Sequence, residues 1–355
     1  MIKVETLSGD QMRPMPDLFE ASNRGKRNLA VDLKSAAGRE VVARLVTTSD
    51  VVMHNLRPGK AEKLGIGHAD LVRVRPDLVY CYLPGFGSAG PKAPLKSFAP
   101  LVSGFTGLLY EGAGEGNPPI RRVMGNEDYY NGFLGAVAVL LALEHRSRTG
   151  EGQYVESPHL HSSLFVTTEQ CLDRDGRAVS PWQLDQQQLG FGPLYRLYET
   201  SDGWLALACV GGNAFTRLTV ALGLAGFAHP DGPDGDPEGL AAAIGQRLGA
   251  MTTATAFDLL DRHHVPCEIA LADPLMPDFL WDEWAFETQR VVEQEHYSVG
   301  YIREMGLTVR LSATPGIVRG AAPKLGEHTV DILGELDYDG AAIQDLLGGT
   351  CIDGR

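Results

Sequence analysis

The sequence lacks the features that mark several large classes of protein. Its five cysteines are odd in number, lie far apart and form no Cys-x-x-Cys pair, so neither a zinc site nor a disulfide framework is indicated. No apolar run approaches the roughly 18 residues of a membrane span, and the longest lies around Ala136–Leu143. The opening residues, MIKVETLSGD, resemble neither a signal peptide nor a transit peptide. These absences predict a cytoplasmic protein with no metal and no membrane partner.

Basic residues are also scarce. Lys and Arg number 31 against 45 Asp and Glu, a net charge of -14, which argues against a nucleic-acid partner because phosphate binding needs a basic face. The ten histidines show no HExxH or other metal-ligand spacing. The glycine runs PGFGSAG and LGFGP match neither the dinucleotide fingerprint nor the P-loop. A small anionic ligand held by a few local bases remains compatible with this composition.

What the chain does contain is an alternation of short apolar strands and helices. Strands are predicted at Asn28–Leu33, Asp50–Asn55 and Leu78–Gly87, with a helix over Ala36–Ser49. This order predicts an α/β fold in which helices cover a mostly parallel sheet. Such sheets bind ligands where the carboxyl ends of the strands open into loops, which here are HNLRPG and PGFGSAGP.

The second half of the chain changes character after a long apolar helix. That helix is predicted over Phe133–Arg146 and, because apolar residues surround it, is expected to be buried on most sides. A second helix is predicted over about Pro158–Cys171, and a long loop then ends at Gly190 and Gly192. A hairpin about Ser201–Gly203 follows. Further helices are predicted near Phe215–Leu224 and Gly239–Met251, and a strand-rich stretch with two short helices follows about Gly300.

Five bases lie near the predicted ligand-binding edge. Each alone is typical of a solvated surface, but bases at successive strand ends can together hold a polyphosphate through charge-assisted hydrogen bonds. They are Arg13, Lys34, Arg57, Lys63 and Lys96.

Asp128 stands at the mouth of the long apolar helix, four residues before Gly132. One interpretation is a helix cap or first-turn acid, which the unpaired N–H groups and positive potential of a helix start favour. The other is a carboxylate nucleophile that attacks an activated acyl group, with the helix N–H groups near the developing oxyanion. Glu127 is adjacent, but only one of the two acids can point into a given pocket. The local sequence leaves both interpretations open.

Several motifs together resemble the class III CoA-transferase family, also called the CaiB/BaiF or formyl-CoA transferase family. They are the segment from NRGKRNLAVDL to HNLRPGKAEKLGIG, then LVYCYLPGFGSAGP, the Asp128 segment with LLALEHRSRTGEGQ, and LGEHTVDILGEL. The resemblance implies a Rossmann-like large domain built from both chain ends, a smaller α+β domain between them, and two chains interlocked as a homodimer. The corresponding ranges are residues 1–190 for the first part of the large domain, 194–300 for the small domain and 301–355 for the return.

The same resemblance implies a reaction and a site. The enzyme moves coenzyme A from an acyl-CoA donor to a carboxylic acid, and Asp128 forms first a mixed anhydride and then an aspartyl-CoA thioester. Gly190 and Gly192 correspond to a mobile glycine loop that shields the intermediate. Lys63 stands where family members often have Arg. The segments implied to contact CoA are Val31, Asp32, Leu33 and Lys34; Asn55, Leu56 and Arg57; and Lys96, Ser97, Phe98 and Ala99.

Two departures from the family pattern keep alternatives open. Family members carry a further strand, a Gly-Pro turn and CoA contacts ahead of IKVE, so the start is expected to be mis-set, completed by a partner or truly shortened. A non-catalytic CoA-binding subunit is therefore one alternative. The other is a 2-methylacyl-CoA racemase of the same fold, which uses a His-Asp pair. Phe98 and Ala99 occupy those positions and disfavour it. The donor and acceptor acyl groups are left open.

Overall fold

The computed structural model describes residues 1–120, 126–168, 171–177, 179, 184–349 and 351–354, without the side chain of residue 126. The chain divides into two compact units. The first comprises Met1–Lys96, Tyr130–His159 and Leu275–Arg355, and the second comprises Ser97–Tyr129 and Leu160–Pro274. In the described part of the chain, no helix is both long and apolar enough to cross a bilayer.

Two small sheets form the framework of the first unit. In one, β4 (Val79–Tyr82) pairs in parallel with β3 (Val51–His54) on one side and with β5 (Tyr154–Glu156) on the other. In the other, β2 (Arg27–Val31) pairs in parallel with β1 (Ile2–Glu5) and antiparallel with β12 (Ile352–Asp353). The prediction of an α/β fold with parallel strands is confirmed.

Helices and a hairpin complete the first unit. Residues from both sheets and from the helix that follows β2 share one core, in which Leu29, Val41, Tyr80 and Ile332 are almost wholly buried. The remaining elements are α1 (Pro16–Asn23), α2 (Ala36–Thr47), α3 (Lys60–Lys63), α4 (His68–Leu71), α12 (Met276–Trp281), α13 (Glu283–Glu287), the antiparallel pair β10 (Val291–His296) and β11 (Gly300–Met305), α14 (Thr329–Glu335) and α15 (Gly340–Gly348).

The second unit is built on a four-stranded antiparallel sheet. Its strands are β6 (Gly190–Gly192), β7 (Tyr195–Glu199), β8 (Trp204–Ala208) and β9 (Cys267–Ala270), in that order. Glu199 pairs with Trp204 across the turn, so the predicted hairpin is confirmed. Its helices are α5 (Ala99–Thr106), α6 (Leu108–Glu111), α8 (His159–Phe165), α9 (Ala214–Leu222), α10 (Pro237–Gly249) and α11 (Thr253–Arg262), of which α8 begins at the last residue of the first unit.

The long helix α7 (Asn126–Thr149) starts in the second unit and continues in the first. One stripe of it is buried, at Asn131, Gly135 and Ala142. The expectation that this helix is buried on most sides is wrong for the single chain, because four large apolar side chains on it are 53–68% exposed. They are Phe133, Val137, Leu140 and Leu141.

Candidate active site

The two acids at the start of α7 lie in different environments. Glu127 is 4% exposed, and its carboxylate accepts a hydrogen bond from the Ser103 hydroxyl at 2.5 Å. Asp128 is exposed, although it lies in the first turn of the same helix. Adjacent helical residues point about 100° apart, which explains how one acid packs inward while its neighbour reaches the surface. Asp128 is therefore the carboxylate that can meet a ligand.

Helix α7 is fixed to the strand ends of the first unit. The Ser157 hydroxyl, one residue after β5, donates to the Asn131 side-chain oxygen at 3.1 Å. At Gly135 a Cβ atom would lie 2.9 Å from a methyl carbon of Leu83, so glycine lets the helix approach the end of β4 closely. Near the other end of the helix, Arg146 donates to the Asp50 carboxylate at 2.8 Å. These contacts hold the part of α7 that belongs to the first unit.

The loop after β3 brings three of the predicted CoA contacts together. Asn55 and Arg57 are exposed and Leu56 is half-buried. Among the described residues, none forms a hydrogen bond or ion pair with the Arg57 guanidinium. Gly59 then adopts a left-handed conformation (φ 74°) and α3 begins, with Lys63 exposed at its end. Within the part of the chain that the structure describes, Arg57 and Lys63 are thus two exposed cations a few residues apart with no ion-pair partner.

A cavity of about 110 Å³ lies beside this loop. Sequence reasoning missed it, because its walls come from strands that are distant in the chain. The repeat of Tyr80 and Tyr82, two residues apart on one strand, was the available signal, since alternate residues share a face. The ionisable and aromatic side chains that line it are His54, Arg57, Glu62, His68, Tyr80, Tyr82 and Tyr154.

The loop after β2 is shaped by its own residues. Val31 is wholly buried, so its side chain belongs to the core and leaves the following residues to meet a ligand. The Asp32 carboxylate accepts from the Lys34 backbone N–H at 3.0 Å, and the Ser35 hydroxyl accepts from Gly38 at 2.9 Å to cap α2. Lys34 is exposed and Leu33 half-buried. This places the Lys34 ammonium at a formed turn.

Arg13 differs from the other four predicted bases. Its guanidinium donates to both oxygens of the buried Glu5 carboxylate, at 2.8 and 2.9 Å, and to the Pro323 carbonyl at 3.1 Å. It is thus committed to holding the first unit together. The assignment of Arg13 as a CoA contact stays a prediction. In the structure, its guanidinium links Glu5 to the Pro323 carbonyl.

The remaining predicted residues fall on both units. Lys96 is exposed in the first unit. Phe98 is 53% exposed in the second, directly before α5, and Ala99 is buried there with Ser97 half-buried. Phe98 and Ala99 carry no ionisable group, so the racemase alternative gains no base at these positions.

Gly190 and Gly192 do not lie in a free loop in this structure. They are the ends of strand β6, which pairs with β7 through an irregular register. At Gly190 a Cβ would come within 2.3 Å of the Tyr195 carbonyl oxygen, so this glycine permits the strands to approach. The predicted loop end is corrected to an edge strand, because the backbone groups of this segment pair with β7. The correspondence of Gly190 and Gly192 to a family glycine loop stays a prediction.

Comparison with known proteins shows which family the chain resembles. A family model described as "CoA-transferase family III" matches residues 1–329. The succinyl-CoA–L-malate CoA-transferase beta subunit of Chloroflexus aurantiacus is 30% identical over 327 residues, covering 89% of this chain and 80% of that protein. Succinate–glutarate CoA-transferase of Agrobacterium fabrum is 28% identical over 341 residues, covering 94% and 84%. A CaiB/BaiF family protein from Brucella suis superposes with a TM-score of 0.77 at 25% identity, over 95% of this chain and 91% of that one.

Proposed function

This chain belongs to CoA-transferase family III and is an enzyme of that class, and we propose that Asp128 is the nucleophile of its transfer reaction. The observation that carries the proposal is the contrast at the start of α7, where Asp128 is exposed and Glu127 is buried. A helix start keeps a carboxylate ionised and supplies N–H groups for a developing oxyanion. A rigid helix holds that carboxylate in place, which favours attack on a bound thioester.

The proposed reaction proceeds through four acyl exchanges. An Asp128 carboxylate oxygen attacks the thioester carbon of the donor; its C–S bond breaks, giving a mixed anhydride and CoA thiolate. The thiolate attacks the aspartyl carbon, which releases the donor carboxylate and leaves an aspartyl-CoA thioester. The acceptor carboxylate then displaces the thiolate to form a second anhydride. The thiolate finally attacks the acceptor acyl carbon and regenerates Asp128. No electrons or water are consumed, so the site must exclude water from the anhydrides.

Coenzyme A is proposed to bind as a substrate through the exposed cations at the strand ends. Arg57 and Lys63 follow β3, and Lys34 follows β2. The Arg57 guanidinium has no partner among the residues that the structure describes. A planar guanidinium suits a phosphate, since it can donate two parallel hydrogen bonds. Lys96 is proposed to lie beside the pantetheine arm, with the segment that follows it.

Dicarboxylic acids are the proposed acyl groups. The two relatives described above carry succinyl-CoA, succinate, L-malate or glutarate in their names. We therefore propose succinyl-CoA as the first donor to test, against acceptors of four or five carbons.

The five cysteines are free thiols, which supports the predicted cytoplasmic location.

A homodimer is proposed from the exposed face of α7. Leu140 and Leu141 are 65% and 68% exposed on the single chain, and Phe133 is 67% exposed. Contiguous apolar surface of this kind marks an interaction site in a folded protein. A second copy of the chain is the proposed occupant.

Trapping the aspartyl intermediate tests the nucleophile directly. The protein is incubated with succinyl-CoA and hydroxylamine and digested for mass spectrometry, where a hydroxamate at Asp128 is expected. Asp128→Ala and Asp128→Asn should lower transfer by a factor on the order of 10³ or more. Glu144→Gln, an exposed change on the same helix, is the matched control and should leave transfer unchanged. Transfer that persists in Asp128→Ala without any adduct would sink the proposal.

A further inference from the structure

His54, the last residue of β3, forms a hydrogen bond through each nitrogen of its ring. Nδ1 lies 3.2 Å from the Leu56 backbone N–H, which can only donate, so Nδ1 is the unprotonated nitrogen. Nε2 therefore carries the proton and donates it to the Tyr80 hydroxyl at 2.7 Å. That hydroxyl donates its own proton to the Ile66 carbonyl at 3.0 Å. A single tautomer of the neutral ring satisfies the whole chain of hydrogen bonds.

Aromatic packing holds the His54 ring in this orientation. It stacks on Tyr82 with centroids 4.6 Å apart and an interplanar angle of 22°, and it meets the edge of Tyr80 at 5.3 Å. The His54 carbonyl also accepts from the Leu83 N–H at 2.9 Å. Because both its ring and its backbone are fixed, His54 can impose a conformation on the two residues that follow.

We propose that His54 is a positioning residue for the loop Asn55–Arg57, which it holds in the conformation that binds CoA and releases when its ring is protonated. This inference rests on the proposed function, in which that loop contacts coenzyme A. A proton on Nδ1 would face the Leu56 N–H, so two donors would meet and the hydrogen bond that fixes the loop would be lost. CoA affinity is therefore expected to fall on acidification.

The surroundings of the His54 ring determine the pH at which the ring is protonated and the loop is released. Burial lowers the pKa of His54, and the negative charge of Glu62 acts in the opposite direction. The other ionisable groups around the cavity are Arg57, His68, Tyr80, Tyr82 and Tyr154. Because the pKa of His54 is lowered, the ring is neutral and the loop is held at pH 7. CoA binding weakens only below the ordinary histidine pKa of about 6.5.

Two substitutions separate the effect of the hydrogen bond to the Leu56 N–H from that of the aromatic ring of His54. His54→Asn keeps an acceptor for the N–H two residues on, as in an Asx turn, but has no group that titrates near neutral pH. His54→Phe keeps the flat ring but has no acceptor. At pH 7.5 we expect His54→Phe to raise the CoA dissociation constant, by calorimetry, and the KM for acyl-CoA about five-fold, with kcat unchanged. His54→Asn should retain wild-type values at pH 7.5 and lose the weakening seen in the wild type at acid pH.

Hydrogen exchange of the segment 51–60 supplies a readout that needs no ligand. After correction for the intrinsic rate, faster exchange is expected in His54→Phe at pH 7.5, and in the wild type but not His54→Asn at acid pH. Equal exchange rates in His54→Phe and the wild type would overturn the positioning role. So would equal CoA dissociation constants for these two proteins at pH 7.5. A His54→Asn variant whose CoA binding still weakens at acid pH, as in the wild type, would also overturn it. A wild type that binds no CoA would instead remove the proposed function and, with it, the link from this loop to CoA. Thermal melting of both variants establishes that they fold.

Discussion

Glu127 and Asp128 are neighbours in one helical turn, yet the first carboxylate is hydrogen-bonded inside the protein and the second reaches its surface. The Ser103 hydroxyl is what separates them, because it gives the buried acid a partner. Without a partner, a buried carboxylate is costly. Under the proposed function the two acids have different tasks, since Glu127 belongs to the fold and Asp128 faces the acyl donor.

Removing the guanidinium of Arg57 should weaken CoA binding. Arg57→Ala is expected to raise the KM for acyl-CoA about ten-fold or more, since a charge-assisted hydrogen bond to phosphate is worth roughly 1.5–3 kcal/mol, while kcat is retained. Steady-state kinetics with varied acyl-CoA measure both. Lys60→Ala, another exposed base at the start of α3, is the control, and an equal effect of both substitutions would reduce Arg57 to general surface charge.

A charge on the exposed face of α7 should dissociate the proposed dimer. Leu141→Glu places a carboxylate among apolar side chains and is expected to shift the mass in analytical ultracentrifugation from twice 38.3 kDa toward one chain. Val220→Glu makes the same kind of change at a 58% exposed position on α9 and should leave the mass unchanged. A wild type that sediments as a single chain would contradict the dimer itself.

The buried carboxyl of Glu20 should make stability depend on pH. Burial raises its pKa, and Glu304 adds to this, while the Ala322 N–H, His296 and Arg24 oppose it. The pKa of Glu20 is higher in the folded than in the unfolded protein. Its contribution to the free energy of unfolding is therefore full at low pH and is lost as the pH rises through the folded pKa. The melting temperature of Glu20→Gln should therefore gain on that of the wild type as the pH is raised above about 4.5.

Glu335 provides a control of opposite sign. The hydrogen bonds from Arg27 lower its pKa, with burial opposing, so its contribution is present above the unfolded pKa and is lost on acidification. The melting temperature of Glu335→Gln should therefore fall relative to that of the wild type as the pH rises. A melting difference for Glu20→Gln that stays constant across the range would refute the assignment.

Two glycines in the turn before β5, Gly150 and Gly152, should differ in the stability lost on substitution by alanine. At Gly152 a Cβ atom would lie 2.3 Å from backbone atoms of Asp77 and Leu78, whereas at Gly150 it would meet nothing within 4 Å but would adopt a φ of +78°. Gly150→Ala should therefore cost about 1 kcal/mol from backbone strain, and Gly152→Ala roughly 3 kcal/mol or more because the backbone must move. Urea unfolding measures both costs, and equal values would show that the turn can relax.

Local patterns predicted the elements whose apolar residues repeat regularly. The long helix and the hairpin about Ser201–Gly203 are present, although α7 begins at Asn126 rather than Phe133 because the polar residues before Phe133 interrupt its apolar pattern. Helix α11 was missed, since threonines and alanines blur its apolar stripe. Its Ala256 and Leu260 are nonetheless wholly buried.

The candidate site was predictable only in part. Asp128 became the candidate nucleophile through the family resemblance, because its place at a helix start left the cap interpretation open. The different environments of Arg13 and Arg57 could not be predicted, because the fold brings Glu5 to the Arg13 guanidinium and gives the Arg57 guanidinium no partner among the described residues. The contact between His54 and Tyr80 likewise depends on the pairing of β3 with β4.

The pairing of β2 with β12 has a consequence for biosynthesis. It joins Val31 to Ile352, so during translation the edge of β2 opposite β1 stays open until the residues around Ile352 have been synthesised. The four strands of the second unit, by contrast, all lie between Gly190 and Ala270, so they can pair much earlier. An open strand edge that persists through synthesis invites pairing with other nascent chains. A high sequence separation also slows closure of the sheet. We expect the open edge of β2 to need chaperone protection in the nascent chain until β12 is available to pair with it.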